Sequence, residues 1–427
     1  MPRFQNRLPM GWPAGSSVLG GCVALVLFLT GVDAAEKDGW LHTDQGIHFP
    51  IGFYVLPDND DALKELAESG VNLVRCHDRR DLDRCRATGI FGWVPLSVQD
   101  GPTEALRERV QELRDHPALA VWEGPDEVVW NFTAFSGLAK TAGFTREDWQ
   151  NQTPKAVAYA RREAEAILPR MRAAIEIVRQ LDIHRRPFWI NEAGESDALY
   201  ARRYIPSIDA TGCDFYPIKA GTRDLISIGK MTDRWQMVGR GKPVWMVLQA
   251  FSWHKVRPER YPQAAYPTFA ETRFMAWDAL VHGARGILYW GSEFIDKPEF
   301  RPSVLAMTAE LAAVEPFLMA PPVEGPRLRL IEADLAGKTT RGVRLLARRV
   351  QDHWLIVLVN EDDARHMGVE ISGLDALNGR ELHLLYGDET VRVAGGEAMT
   401  RMQAYETKVF ATSRQWESRR RAGRDFP

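Results

Sequence analysis

Residues 61 to 77 read DALKELAESGVNLVRCH. Ala62, Leu63, Leu66 and Ala67 recur at helical spacing, which puts them on one buriable face. Gly70 supplies the usual helix stop, and VNLVRCH follows as an apolar run of strand length. A helix, a glycine and then a strand form the joint between a helix and the next parallel strand of an α/β fold. The same punctuation recurs in ATGIFGW at 87–93 and ARGILYW at 284–290.

Eight such runs lie between residues 48 and 291: HFPIGFYV, VNLVRCH, GIFGWVPLSV, ALAVWEG, RPFWINE, ATGCDFYPI, KPVWMVLQAF and RGILYWG. They are apolar nearly throughout, as strands covered on both faces are. Amphipathic segments such as TEALRERVQELRDH (103–116) and TFAETRFMAWDALVHGARG (268–286) separate them. Eight strand and helix repeats over roughly 280 residues match a (β/α)8 TIM barrel. The first run ends GFYVLPDND, with no G-x-G-x-x-G or P-loop, which argues against an open doubly wound sheet with a nucleotide site. About 60 residues separate VWEGPDE from RPFWINE, an interval that reads as an insertion building up one side of the barrel mouth. A helical pattern runs through it from Lys155 to Leu181.

APPVEGP (320–326) reads as a linker. The runs RLRLIEA, HWLIVLVNE, ELHLLYG and ETKVFATS beyond it lack helical periodicity and predict a small antiparallel, sandwich-like β-domain. At the other end, Arg3 and Arg7 precede VLGGCVALVLFLTG (18–31) and the small residues Val32 to Ala35, the layout of a secretory leader. Its apolar run of about 14 residues is shorter than the roughly 20 of a spanning helix, so no membrane insertion is expected once the leader is cleaved. LGGC at 19–22 precedes most of that run instead of following it, against lipidation. The expected divisions are a leader at 1–35, a barrel at 40–319, a β-domain at 327–412 and a basic, frayed tail at 413–427, in a secreted or periplasmic protein.

A chain of 427 residues, 45% hydrophobic, has material for one large core and a small one. A net charge of −3 supplies no basic field for nucleic acid. After leader removal Cys76, Cys85 and Cys213 remain, an odd number, so disulfides do not build the fold. Neither H-x-H nor H-E-x-x-H occurs, and no metal or cofactor is expected. The S-x-x-K at Ser227–Lys230 lacks the partner motifs of a serine hydrolase, and no G-x-S-x-G elbow is present.

Working groups of a (β/α)8 barrel sit at the C-terminal ends of its strands. Reading the close of each run gives Tyr54, Arg75 with His77, Asp126 with Glu127, Asn191 with Glu192, Asp214 with Tyr216, Gln249, and Trp290 with Glu293. Acids, amides and aromatic faces together suit an oligo- or polysaccharide. Glycosidic cleavage needs a carboxylic acid to protonate the leaving oxygen, and Glu127 in WEGPDE is the candidate, its pKa raised by a wall from Trp122 and Trp130 and by Asp126. The plainer reading has Asp126 and Glu127 opening the next helix, where acids are favoured. Trp253 and Trp290 are candidate stacking platforms. Glu192 and Glu195 in NEAGE either line the mouth or cap the following helix, and His77 and His254 are weaker candidates for hydrogen bonds to a sugar.

WEGPDE, NEAGE, CDFYPI, PVWMVLQAF and GARGILYWG together resemble the barrel of clan A glycoside hydrolases, over about residues 40–412, without singling out one family. The resemblance implies an acid/base Glu after strand four, matched by Glu127, and a nucleophilic Glu after strand seven, where this chain has Gln249. Three readings accommodate that departure. Asp126 and Glu127 act as an adjacent pair, with the substrate's acetamido oxygen attacking and Tyr216 in support; or Glu293 or Asp214 supplies the second carboxylate; or the barrel binds glycan without cleaving it.

Overall fold

The computed structural model describes residues 38–133, 142–331 and 342–419, so the expected leader and the end of the tail lie outside the described residues. Eight parallel strands close into a barrel: β1 (Ile51–Phe53), β2 (Leu73–Arg75), β3 (Phe91–Pro95), β4 (Leu119–Glu123), β5 (Phe188–Ala193), β6 (Ala210–Asp214), β7 (Val244–Gln249) and β8 (Gly286–Trp290). Each pairs with the next, and β8 returns to β1. Among the helices are α1 (Asp60–Glu68), α2 (Arg79–Thr88), α3 (Glu104–Leu113), α4 (Val128–Thr133), α5 (Pro154–Leu181), α6 (Ser227–Gly239), α7 (Phe269–Val281) and α8 (Phe300–Ala313). Their starts follow local chemistry: Asn59 accepts the Ala62 N–H, and Thr268 and Glu271 form a reciprocal capping box. Helix α5 is the ordinary crossover from β4 to β5, so the added material is only the segment ahead of it. The full helix missing from the repeat is the one after β5, where only the turns Ala198–Ala201 and Ile205–Ser207 stand.

Side chains alternate across each strand. Leu73, Phe91, Trp93, Val121, Trp189, Trp245, Val247 and Leu288 fill the bore below the mouth. Trp189 packs edge-on against Trp93 at 5.8 Å and lies 5.2 Å from Trp245. Such large indoles need small neighbours: a Cβ on Gly212 would sit 2.6 Å from Trp189, and one on Gly286 would sit 2.7 Å from Trp245. The bore is a packed floor, and chemistry is confined to the rim above it.

Beyond the barrel, β9 (Arg327–Leu330), β12 (Met367–Ser372) and β15 (Ala398–Met402) form one antiparallel sheet. A second contains β10 (Val343–Val350), β11 (His353–Asn360), β16 (Thr407–Ala411), β13 (Glu381–Leu384) and β14 (Thr390–Arg392). Strand β11 is covered on both faces: Ile356 and Leu358 enter the β-domain core, while Leu355, Val357 and Val359 join the barrel's outer core. Residues 413–419 are not frayed. Arg414 donates to the Leu384 and Gly387 carbonyls, and Trp416 packs edge-on against Phe317 at 4.7 Å. Among the described residues no helix is long and apolar enough to cross a membrane.

Candidate active site

Strand parity decides which residues reach the mouth. On β4, Val121 and Glu123 point inward and Trp122 points out, where its Nε1 donates to Asp182 Oδ2 at 2.9 Å. Trp122 therefore belongs to the strand-helix packing, and the expectation that it contacts ligand or walls Glu127 is corrected. Glu123, which the sequence reading passed over, is fully buried and accepts from Arg75 Nε at 2.9 Å and Trp93 Nε1 at 3.1 Å. Burial raises its pKa to about 8 despite the Arg75 charge. Arg75 also lies over the Tyr54 ring, 5.7 Å from its centroid. The signal for Glu123 was its place two residues after Val121 on the inward face.

The strand ends at Glu123, so Asp126 and Glu127 occupy the turn after it, just before α4. Glu127 holds a left-handed backbone, φ 53°, which costs a residue with a Cβ about 1–2 kcal/mol. Three contacts impose it: the Glu127 N–H donates to the Asn191 carbonyl at 3.0 Å, the Asn131 N–H to the Glu127 carbonyl at 2.9 Å, and Asn131 Nδ2 to the Asp126 carbonyl at 3.2 Å. Glu192, on the outward face of β5, completes the support. It accepts the Val129 N–H at 2.9 Å, the Trp130 N–H at 3.3 Å, Ser196 Oγ at 2.7 Å and Tyr204 OH at 3.1 Å. Glu192 is thus the N-terminal cap of α4, and its expected place against substrate is corrected.

Inside the mouth, Asn191 Nδ2 donates to Asp126 Oδ1 at 3.0 Å and Asp214 Oδ1 at 3.3 Å, bridging acids from two strand ends. Glu127 is pushed up to about 9, first by burial and then by the charges of Asp214, Asp126 and Glu192. Asp214, also buried, rises to about 7, with Asn191 and Tyr216 bonding its charged form. Tyr216 stacks on Trp290 at 5.4 Å, and Phe251 meets Trp290 edge-on at 4.8 Å. Three buried polar atoms of this wall, Tyr54 OH, Glu123 Oε1 and Asn191 Oδ1, have no hydrogen-bond partner among the described residues. Polar atoms in that state suit a hydroxyl-rich ligand.

Other expected members stand elsewhere. Gln249 is fully buried: its Oε1 accepts the Ile218 N–H at 2.9 Å, and its Nε2 donates to the carbonyls of Ile218 at 2.9 Å and Phe251 at 3.0 Å. It pins a loop and has no group left for a ligand, which corrects its assignment as a substrate contact. His77 and Glu293 are exposed, and the Glu293 carboxyl is raised by its own partial burial, none of the clustered acids being among the causes. Trp253 donates to the Tyr216 carbonyl at 3.2 Å, behind the platform ring. His254 is tied to the Tyr261 carbonyl at 2.9 Å.

No family model matches the chain, and no curated protein matches it. Among solved structures, the β-galactosidase from Bacillus circulans sp. alkalophilus superposes with a TM-score of 0.53 over 86% of this chain and 99% of its own, at 9% identity. The β-galactosidase from Rahnella sp. R3 gives 0.50 over 87% and 99%, at 10% identity. The chain shares its fold with these two solved structures. At such identity the likeness is one of fold, and the chemistry rests on the residues at the mouth.

Proposed function

We propose that the protein is an exported glycoside hydrolase in which Glu127 is the general acid. The observation carrying this reading is the buried acid cluster Asp126, Glu127 and Asp214, with Asn191 bridging the two aspartates, set against the Tyr216–Trp290 platform. A carboxyl raised to about 9 holds its proton at neutral pH and delivers it to the leaving glycosidic oxygen as the anomeric C–O bond breaks. The end of β7, where a nucleophilic carboxylate would stand, carries Gln249, held by backbone groups on both its oxygen and its nitrogen. That favours the layout needing no carboxylate across the mouth: the substrate's own acetamido oxygen attacks the anomeric carbon and Asp126 or Asp214 orients it. The leader-like residues 1–35 support export.

The competing reading, a barrel that binds glycan without cleaving it, draws on Gln249, which stands where a nucleophile would and is fully engaged by backbone. Aryl glycosides with and without a 2-acetamido group separate the two. Cleavage confined to N-acetylated substrates, and reduced at least about 100-fold in Glu127→Gln with binding intact, is expected. Binding without turnover across the panel would establish the competitor.

A further inference from the structure

A second group of chemistry-bearing residues lies where barrel and β-domain meet. Asp278, in the last turn of α7, and His282, its C-terminal cap, are four apart and share one helix face, and Glu361 directly follows β11. His282 Nε2 is 2.7 Å from Glu361 Oε1 and 3.8 Å from Asp278 Oδ1. One atom from each of the three residues lies within 4.8 Å of the other two, and all three residues are buried.

The far atom of each side chain is held separately. His282 Nδ1 meets Asp233 Oδ1 at 2.9 Å, Asp278 Oδ2 accepts the Gly229 N–H at 2.7 Å, and Glu361 Oε2 accepts from Arg344 Nε at 3.1 Å. Nε2, Oδ1 and Oε1 converge, with Nε2 and Oε1 sharing a hydrogen bond of 2.7 Å that a bound ion would replace. Asp278 Oδ1, on a fully buried residue, has no hydrogen-bond partner among the described residues. An imidazole fixed through its second nitrogen by a carboxylate, beside carboxylates fixed by donors, is the outer shell that orients ligands on a metal. Ligands about 2.0–2.1 Å from a tetrahedral ion stand roughly 3.3 Å apart, a value that 2.7 and 3.8 Å bracket. Within the buried set the carboxylates of Asp278 and Glu361 face at most one imidazolium, with Arg344 half exposed at the edge, a balance that a dication suits. Gly229 admits the arrangement, since a Cβ there would lie 2.5 Å from His282 Nε2 and 2.8 Å from Asp278 Oδ2.

We infer that Asp278 Oδ1, His282 Nε2 and Glu361 Oε1 bind a divalent transition metal of the zinc class, which staples the β-domain to helix α7. One imidazole with two carboxylates suits such an ion better than calcium or magnesium, which take all-oxygen sites. The site shares no residue with the mouth, so its test is independent of the glycosidic reading.

Untagged full-length protein, stripped with a chelator and shown folded by circular dichroism, is titrated with Zn2+ and with Co2+. One ion per chain is expected, with a visible Co2+ absorption band that Zn2+ displaces. At a hundredfold excess of zinc over its Kd, the melting temperature rises by about 5 °C. Asp278→Asn and Glu361→Gln keep the side-chain shapes but lose anionic ligands, so affinity falls at least about tenfold and the thermal shift disappears. Asp233→Asn, acting only through His282, weakens binding by about 10–100-fold. Absence of both the cobalt band and the thermal shift in the stripped wild type, or equal affinity in Asp278→Asn, makes the cluster an ion-pair network only. The wild-type titration decides the matter even where a variant does not fold.

Discussion

Glu127 combines three costs: a left-handed backbone, burial, and neighbouring carboxylates. Such features gather where a proton must be held at neutral pH. The pH dependence of activity follows from the pair. In the proposed mechanism Glu127 donates only while protonated, so kcat/KM is expected to fall as pH rises through about 9. Asp214 supports positive charge only when ionised, so activity rises through about 7. A bell between those limits is expected, both limbs belonging to the pair as a unit. Asp214→Asn removes the largest charge that raises Glu127, so the alkaline limb of the residual activity moves to lower pH; a flat profile from pH 6 to 10 would take the pair out of the mechanism. Sequence reading reached Asp126, Glu127 and Asp214 because acids closing apolar runs are visible in the chain. It missed Glu123 by treating the whole of WEGPDE as one strand end, when two-residue alternation from Val121 turns Glu123 inward and Trp122 outward.

Strand ends and the loops they hold explain the other corrections. Gln249 looked like a lost nucleophile because its partners, Ile218 and Phe251, are backbone groups, and no side-chain pattern in the sequence announces a bond to the main chain 31 residues away. Restoring a carboxylate there is expected to harm the protein. In Gln249→Glu one oxygen still accepts the Ile218 N–H, but the other faces the Ile218 and Phe251 carbonyls without a donor. The cost is about 2–4 kcal/mol at pH 7, read from urea unfolding, with no gain of turnover. Glu192 behaves as its mirror case, an acid facing four donors. Glu192→Gln turns an NH2 toward two of them, since each oxygen accepts from one backbone N–H and one hydroxyl, which lowers stability by about 1–3 kcal/mol and loosens α4. Because α4 and the Asn191 carbonyl position Glu127, kcat is expected to drop more than KM rises. Unchanged kcat with lowered stability would restrict Glu192 to a purely structural part.

At the scale of the molecule, the (β/α)8 barrel with its β-rich C-terminal domain was legible because each strand is a short apolar run and most helices end in recognisable stop or cap chemistry. How the domain docks was not, since a both-faces-apolar strand such as HWLIVLVN does not say which core each face enters. The structure divides it: Leu355, Val357 and Val359 face the barrel helices, and Ile356 and Leu358 the sandwich. Polar contacts fasten the same seam. Arg273 of α7 pairs with the fully buried Glu310 of α8 at 2.9 Å and donates from a second nitrogen to the Thr407 carbonyl of β16 at 2.6 Å. A barrel cut off after residue 319 would expose the helix surface that Leu355, Val357, Val359 and Val409 cover. At about 1.5–3 kcal/mol for each buried aliphatic side chain, the loss is about 6–12 kcal/mol, comparable with the 5–15 kcal/mol that holds a whole protein folded. The isolated fragment 38–319 is therefore expected to aggregate or to melt more than about 10 °C below the full chain, by gel filtration and circular dichroism. A monomeric fragment with the full-length melting temperature would show that the two cores are energetically separate, and that the apolar face of β11 stabilises only its own domain.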